Sequence, residues 1–391
     1  MGSNVGLNEK KVGLLNIVYI VVMYSYILLT NLKINMIIDV NDRVRTAIFL
    51  IIILFAFFHI FKMITSRKAL VLDIIVVLYS SYTVVLLDIG NSSFFENLIP
   101  ITYLPIMYLA GRYVFSKMVF NERVLEIACF VLLLVFSGCF IFNRVIIGMM
   151  SSANTIYYQL CILPSCIRSK CKPIRFLSLI IATFCVFFSE KRTAFIIWAV
   201  IVVLFLFMVF DLKNQSPINK IIICIFCVAF LVCSVFLVDS YISSKFGMSI
   251  ISRLTQIGAD GGSGRSDLLR MVFSELKNNS FLDTLFGHNM IPTATFADGM
   301  GAHNDFVEIY YRCGLLGSVL IFFIGARLLK YIRSISQKSY RYYCCFLCEF
   351  AMLIIFMLFS QIIFIASYNC LLAFEMALLV NVCRGDVIVN E

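Results

Sequence analysis

Apolar runs broken by short polar stretches fill this chain almost from end to end. They fall at about 13–30, 46–61, 69–88, 98–110, 124–142, 153–167, 176–188, 193–210, 219–238, 314–329, 343–366 and 369–383. In hydrocarbon every backbone N–H and C=O must be satisfied inside the structure, which leaves helices as the way for runs of this length to cross. Twelve spans at about 20 residues each use roughly 240 residues. The remainder of the 391-residue chain makes the connections. Composition agrees. Hydrophobic residues make up 61% and charged residues 14%, where soluble domains have about 45–50% and about 25%. A soluble enzyme, a disordered chain and a low-complexity fibre are excluded. The expected fold is an all-α polytopic membrane protein, residues 1–391 forming one transmembrane domain. Pro100 and Pro105 weaken the fourth run, but neighbouring helices can re-satisfy the groups that proline frees.

The formal net charge is +10, and its placement speaks for membrane topology rather than for nucleic acid. With the N-terminus in the cytoplasm and loops assigned alternately, 20 of the 32 Lys and Arg residues fall inside. Six fall in short outside loops, and six in one long outside segment of about 239–312, a length to which the positive-inside rule does not apply. Both termini are therefore expected to be cytoplasmic. The first run lacks a small-x-small cleavage site and reads as a retained anchor. All 15 Cys lie outside the long segment, where a disulfide would be permitted. The Cys344-Cys345-x-x-Cys348 cluster has no His nearby and reads as packed thiols.

The 239–312 segment is unlike the rest of the chain. Its Gly-rich entry, Gly258 to Gly264, reads as a turn or neck. From Ser266 onward Leu269, Val272, Phe273 and Leu276 recur at helical spacing, predicting an amphipathic helix at the outer surface. Arg265 shares the ridge of Leu269, Val272 and Leu276, with Arg270 and Lys277 on the flank. Taken alone, Arg265 reads as an arginine that snorkels to lipid head groups. A second group of cations points elsewhere. Ser189-Glu190-Lys191-Arg192-Thr193 separates two apolar runs with almost no loop, placing Lys191 and Arg192 at the outer face, where positive charge is disfavoured without a function such as anion binding.

The chain has three histidines. His59 is in the second run near its cytoplasmic end and reads as packed. His288, in Gly287-His288-Asn289, reads as turn chemistry. His303 opens a short helical pattern with Val307 and Tyr310. The first turn of a helix disfavours a cationic imidazole, and a neutral one can act as a general base. Position alone leaves that role and a structural one both open.

Taken together, Phe188-Ser189-Glu190-Lys191-Arg192-Thr193-Ala194, Gly264-Arg265, Leu285-Phe286-Gly287-His288-Asn289, and Ala302-His303-Asn304-Asp305-Phe306 with Glu308 and Gly314-Leu315-Leu316-Gly317 resemble the O-antigen polymerase (Wzy) and O-antigen ligase family of bacterial envelope glycosyltransferases. The resemblance is concentrated in residues 185–330. It implies a metal-independent, cofactor-free inverting transferase at the outer face of the bacterial inner membrane, acting on undecaprenyl-diphosphate-linked oligosaccharides. Arg192 and Arg265 fall on the family's diphosphate-binding arginines and His303 on its catalytic histidine. Lys191, Arg270, Asn304, Glu308 and Arg312 are secondary candidates. Glu190-Lys191 departs from the serine that many relatives carry before the first arginine.

The expected activity is polymerisation of lipid-linked repeat units into O-antigen or capsule-type polysaccharide. Membrane lipids and a chain-length-regulating membrane protein are the expected partners, with no nucleic acid. Three alternatives stand beside it. A ligase would pass the polysaccharide to lipid A-core. A metal-dependent sugar transferase would use an acidic pair such as Asp39 and Asp42, although Arg43 and Arg45 adjoin it. A lipid-linked sugar flippase would want a buried acid such as Glu375, but the sequence has no two-half repeat.

Overall fold

The structure is a computed structural model that describes residues 14–39, 41–65, 70–87, 94–117, 122–148, 150–256, 264–295, 301–360 and 366–385. Among them there are helices and no strand. The helices are α1 (Leu14–Ile34), α2 (Asp42–Thr65), α3 (Val71–Val85), α4 (Phe94–Lys117), α5 (Glu122–Ile141), α6 (Ile156–Ile167), α7 (Lys172–Ser189) and α8 (Arg192–Val209). There follow α9 (Pro217–Phe246), α10 (Ile250–Thr255), α11 (Arg265–Leu276), α12 (Phe281–Phe286), α13 (Asp305–Ile335), α14 (Tyr340–Phe359) and α15 (Ala366–Arg384). Each of the twelve apolar runs lies on its own helix, and among the described residues eight helices (α1, α2, α5, α7, α8, α9, α13 and α14) are long and apolar enough to cross a membrane. The chain is an all-α, membrane-embedded protein.

Several expectations change. The sixth run forms only the 12-residue α6, in which every residue is buried. At 1.5 Å per residue it is about 18 Å long, short of the ~30 Å hydrocarbon layer. A helix apolar all round belongs at the centre of a bundle, and that is where α6 sits, against α5, α7, α8, α14 and α15. The long connection is narrower than 239–312, because α9 runs on to Phe246 and α13 begins at Asp305. α14 stops at Phe359, short of the expected end at 366.

Three arginines assigned to loops are instead buried. Arg112 lies 3.5 Å from Asp73, Arg144 lies 2.7 Å from Glu190 and Arg168 lies 3.4 Å from Glu375. Glu375 is thus paired with a neighbouring helix. It is also not the sole buried acid, since Asp73, Glu126 and Glu349 are buried too. α4 and α15 approach closely at Gly111, where an added Cβ would stand 2.9 Å from Ala377 Cβ, the small-residue contact that lets membrane helices meet.

The tenth run begins at Gly314 because α13 breaks there (φ 64°, ψ −163°). The break frees carbonyls that must find other donors. His288 N–H donates to Tyr311 O (2.9 Å), Met290 N–H to Arg312 O (3.3 Å) and Tyr82 Oη–H to Cys313 O (2.7 Å). The Leu285–Asn289 motif is therefore the lock on the kink. Its Gly287 (φ 82°) packs so closely that a Cβ would meet Arg312 O at 2.4 Å, and a Cβ on Gly314 would meet Gly287 N at 2.5 Å. Gly287→Ala and Gly314→Ala should each destabilise the protein by about 2–4 kcal/mol. Gly138→Ala, with no atom within 4 Å of the new methyl, should be neutral or stabilising by up to ~1 kcal/mol. Thermal unfolding in detergent tests this, and a Gly314→Ala protein that melts with the wild type contradicts it.

Candidate functional site

The turn between α7 and α8 is almost absent. Ser189 ends α7, Arg192 starts α8, and Glu190 between them is left-handed (φ 52°). A non-glycine residue held in that region needs its surroundings to hold it there. Glu190 Oε2 accepts from Arg144 Nη2 at 2.7 Å and its Oε1 from Ser249 N–H at 3.2 Å. Arg144 comes from a π-helical turn, Phe142–Ile146, at the end of α5, the type of helix defect often found at functional sites. Its Nε donates to Phe188 O at 3.1 Å. Sequence reasoning counted Arg144 only as a loop charge. The available signal was an arginine next to Asn143 inside an otherwise apolar stretch.

Arg192 reaches across to the 247–304 connection, its Nε donating to Arg253 O at 2.8 Å. That segment is held by Asp239, near the end of α9, which accepts from Ser249 Oγ (2.8 Å) and Ile250 N–H (2.7 Å) at the start of α10. Arg265 is the first residue of α11, after Gly264 at φ 77°. α11 buries Leu268 and Val272, while Phe273 is exposed. The buried ridge is therefore one position earlier than the Leu269–Phe273 spacing predicted, and Arg265 still heads it at i, i+3 and i+7. Arg270 stands apart, with its side chain 83% exposed and 3.6 Å from Asp267. Lys277 is exposed as well.

His303 is also left-handed (φ 49°) and immediately precedes the residue that caps α13. Asn304 caps that helix, accepting from Val307 N–H at 3.0 Å, and its Nδ2 donates to Leu358 O at 3.0 Å, joining the start of α13 to the end of α14. Glu308 is buried and accepts from Arg312 Nε (2.6 Å), from Thr293 N–H (3.1 Å) and from the Thr293 hydroxyl. The Thr293 Oγ1 in turn accepts from Ala302 N–H at 2.9 Å. Asn304, Glu308 and Arg312 thus position the backbone that carries His303. The other histidines have structural surroundings. His288 stacks on Tyr311 with centroids 4.2 Å apart, and His59 is buried among Tyr19, Phe58 and Tyr113.

Electrostatics ties these pieces into one place. Burial lowers the pKa of His303 below its ordinary value, and the charges of Arg265 and then Lys191 lower it further, against an opposing effect of Glu308. Burial also lowers the pKa of Lys191, followed by the charges of Arg265, Arg253 and Arg144. Tyr157, in the central α6, lies within electrostatic reach of Arg265 and beside Thr193 and Ser360. Residues from the π turn after α5, the α7–α8 turn and the 247–304 connection therefore gather as a cationic patch around Lys191, and two of its members, Arg265 and Lys191, also act on His303 and disfavour its cationic form. Such a patch can hold a multiply charged anion, and the imidazole can accept a proton. Of the proposed acidic pair, Asp39 is exposed in the α1–α2 connection and Asp42 is the first residue of α2.

Neither a protein-family model nor a curated protein matches this chain.

If Lys191 and Arg265 face His303, removing either positive charge must raise the histidine's pKa, because a nearby cation disfavours imidazolium. Lys191→Met and Arg265→Met should each move the His303 titration up toward the ordinary histidine value near 6.5. Arg253→Met, which acts on Lys191 and not on His303, should leave it in place. NMR of imidazole-labelled protein, assigned with His303→Gln, reads this directly. An unmoved His303 resonance in both Met variants would dismantle the site.

Proposed function

We infer that this protein is an inverting glycosyltransferase that polymerises undecaprenyl-diphosphate-linked oligosaccharide repeat units at the outer face of the bacterial inner membrane. The observation that carries the reading is the convergence of Arg265 and Lys191 on a half-buried His303, with Arg192 bonded to the same external segment. Anionic leaving group and proton acceptor are the two needs of the reaction. As the acceptor hydroxyl attacks the anomeric carbon, the sugar–phosphate bond breaks and negative charge develops on the diphosphate. Arg192 and Arg265 stabilise that charge through planar, two-pronged contacts, and Lys191 adds a third cation. The acceptor proton passes to the neutral imidazole of His303. Attack opposite the leaving group inverts the anomeric centre.

Two features near the patch support lipid-linked substrates. An apolar cavity of about 600 Å³ lies between α3, α4, α13 and α14, bounded by residues that include Tyr79, Pro105, Phe306, Ile321 and Met357. Phe306 is three residues from His303, so an isoprenoid tail lodged there would leave its diphosphate near the cations. A second, open groove between α11 and α13 contains Phe273, Phe306 and Tyr310, an aromatic surface suited to sugar rings. The excess of basic residues assigned to the inside, with both ends cytoplasmic, supports an outer position for this patch. The pairing of Glu375 with Arg168 gives that one buried acid a structural role. Polymerase and ligase would use the same groups and differ in the acceptor they receive.

The test is an assay of purified protein with a lipid-linked repeat unit. Arg192→Ala and Arg265→Ala should each lower turnover about 10²–10³-fold, with Lys at either site a poor rescue because a point charge lacks the planar fork. His303→Ala should lose about 10²–10⁴-fold, Arg270→Ala should stay within about twofold as a surface substitution, and EDTA should have no effect. Full activity of the His303 and arginine variants, or loss with EDTA that Mg²⁺ restores, contradicts the proposal. A product attached to lipid A-core in place of a lengthened lipid-linked chain would make it a ligase.

A further inference from the structure

Glu349, on α14, is fully buried at 0% exposure and takes no part in the His303 patch. Neither of its carboxylate oxygens meets a hydrogen-bond donor among the described residues. Its helix faces α6 at this level. Cys345, one turn earlier, donates its thiol to Pro164 O at 3.6 Å, and the Arg168 guanidinium at the end of α6 lies 5.1 Å from the centre of the Tyr342 ring. Glu349 continues that face at i+4 and i+7 from Cys345 and Tyr342. It lies within electrostatic reach of Arg168, and of Cys161 one turn back along α6.

Glu375 comes to the same place from α15. Lys338 donates to Cys383 O, which sets the start of α14 beside the last turn of α15. Glu349 lies nine residues from Tyr340 and Glu375 nine from Arg384, so each carboxylate is about 14 Å into the bundle from that end. The two acids act on each other, and both act on Arg168.

Two buried carboxylates therefore share one guanidinium. The other titratable side chains around them are thiols and phenols: Cys345 and Cys348 on α14, Cys161 and Cys166 on α6, Tyr342, and Tyr24 with Cys129 beside Glu375. Glu126, near Cys166, already accepts from Ser169 Oγ and Lys170 N–H. Arg168 makes one contact with Glu375, Nη1 to Oε2 at 3.4 Å, while its Nε and Nη2 are buried without an acceptor. One cation offsets one carboxylate. A second ionised carboxylate in this interior, with no donor on either oxygen, would be strongly unfavourable, and a neutral carboxyl group far less so. A metal ion would need several ligands around one point, and among the described residues no group of three or more His, Cys, Asp or Glu side chains offers them. A proton needs only the carboxyl group itself.

We propose that Glu349 and Glu375 form an internal proton-binding site that holds one proton between them, resident on Glu349 while Glu375 pairs with Arg168. The unfilled side of the Arg168 fork is where the Glu349 carboxylate goes when it is the ionised partner, a two-pronged contact that Arg can make. This site is independent of the transferase reading.

Infrared spectroscopy of the detergent-purified full chain at neutral pH, with carboxyl-labelled glutamate, tests it. The wild type should show the C=O stretch of a carboxylic acid, shifted by the label. Glu349→Gln should lose that stretch and still melt with the wild type, because the amide keeps the shape and neutrality of the acid. Glu375→Gln should lose it as well, since Glu349 then ionises as the one partner of Arg168. Glu126→Gln, which removes a carboxylate already supplied with donors, should keep it. A wild-type spectrum without the acid stretch overturns the proposal, as does a stretch that survives Glu349→Gln or Glu375→Gln. A Glu349→Gln protein that does not fold contradicts it too, and if Glu375→Gln does not fold, the wild-type and Glu349→Gln spectra decide.

Discussion

The Glu190 carboxylate joins three parts of the chain at one point. One oxygen accepts from Arg144 on the π turn after α5, and the other accepts from Ser249 N–H before α10. A buried ion pair must be well hydrogen-bonded to offset the cost of desolvating it, and here the geometry meets that condition on both sides. It fixes a left-handed turn so short that Lys191 and Arg192 follow directly. It also docks the 247–304 connection, whose Arg253 carbonyl receives Arg192. The candidate site exists because this turn cannot relax.

The other buried arginines follow the same rule with a different result. Arg112 with Asp73, Arg168 with Glu375, and Arg312 with Glu308 each lie beside a carboxylate, and they join helices or stiffen a turn. The charged groups that act on Lys191 are all cations. Arg144 belongs to both groups, since it pairs with Glu190 and its charge also acts on Lys191.

Much of this was legible in the sequence, for physical reasons. Helices had to form wherever apolar runs exceeded a few turns, so each run found its helix. Run length alone could not show that the Tyr158–Pro164 stretch is a short pillar enclosed by neighbours, because full burial in protein and exposure to lipid select the same side chains. The kink at Gly314 coincides with the start of the tenth apolar run, where a change of pattern does not tell a kink from a helix start, and its lock at Gly287 looked like a turn because the partner lies 27 residues further along the chain. His303, Lys191 and Arg265 could be singled out by their types and places, but their convergence could not, since it depends on a long connection docking back on the bundle. Arg144, Arg112 and Arg168 were misassigned because a cation next to a span boundary looks the same in sequence whether it faces water or a buried carboxylate.

The central claim is that Arg265, which acts on His303, and Arg192, bonded to the 247–304 connection, together form a diphosphate site. Equilibrium binding of undecaprenyl diphosphate and undecaprenyl phosphate to the purified protein, followed by phosphorus NMR or calorimetry without any acceptor, tests it most directly. The account predicts that the diphosphate binds more tightly than the monophosphate. It also predicts a loss of about tenfold or more on Arg192→Gln or Arg265→Gln, as expected for a charge-assisted two-pronged contact, and no change on Arg270→Gln. Equal affinity for the two lipids, with all three arginine variants binding like the wild type, would contradict it.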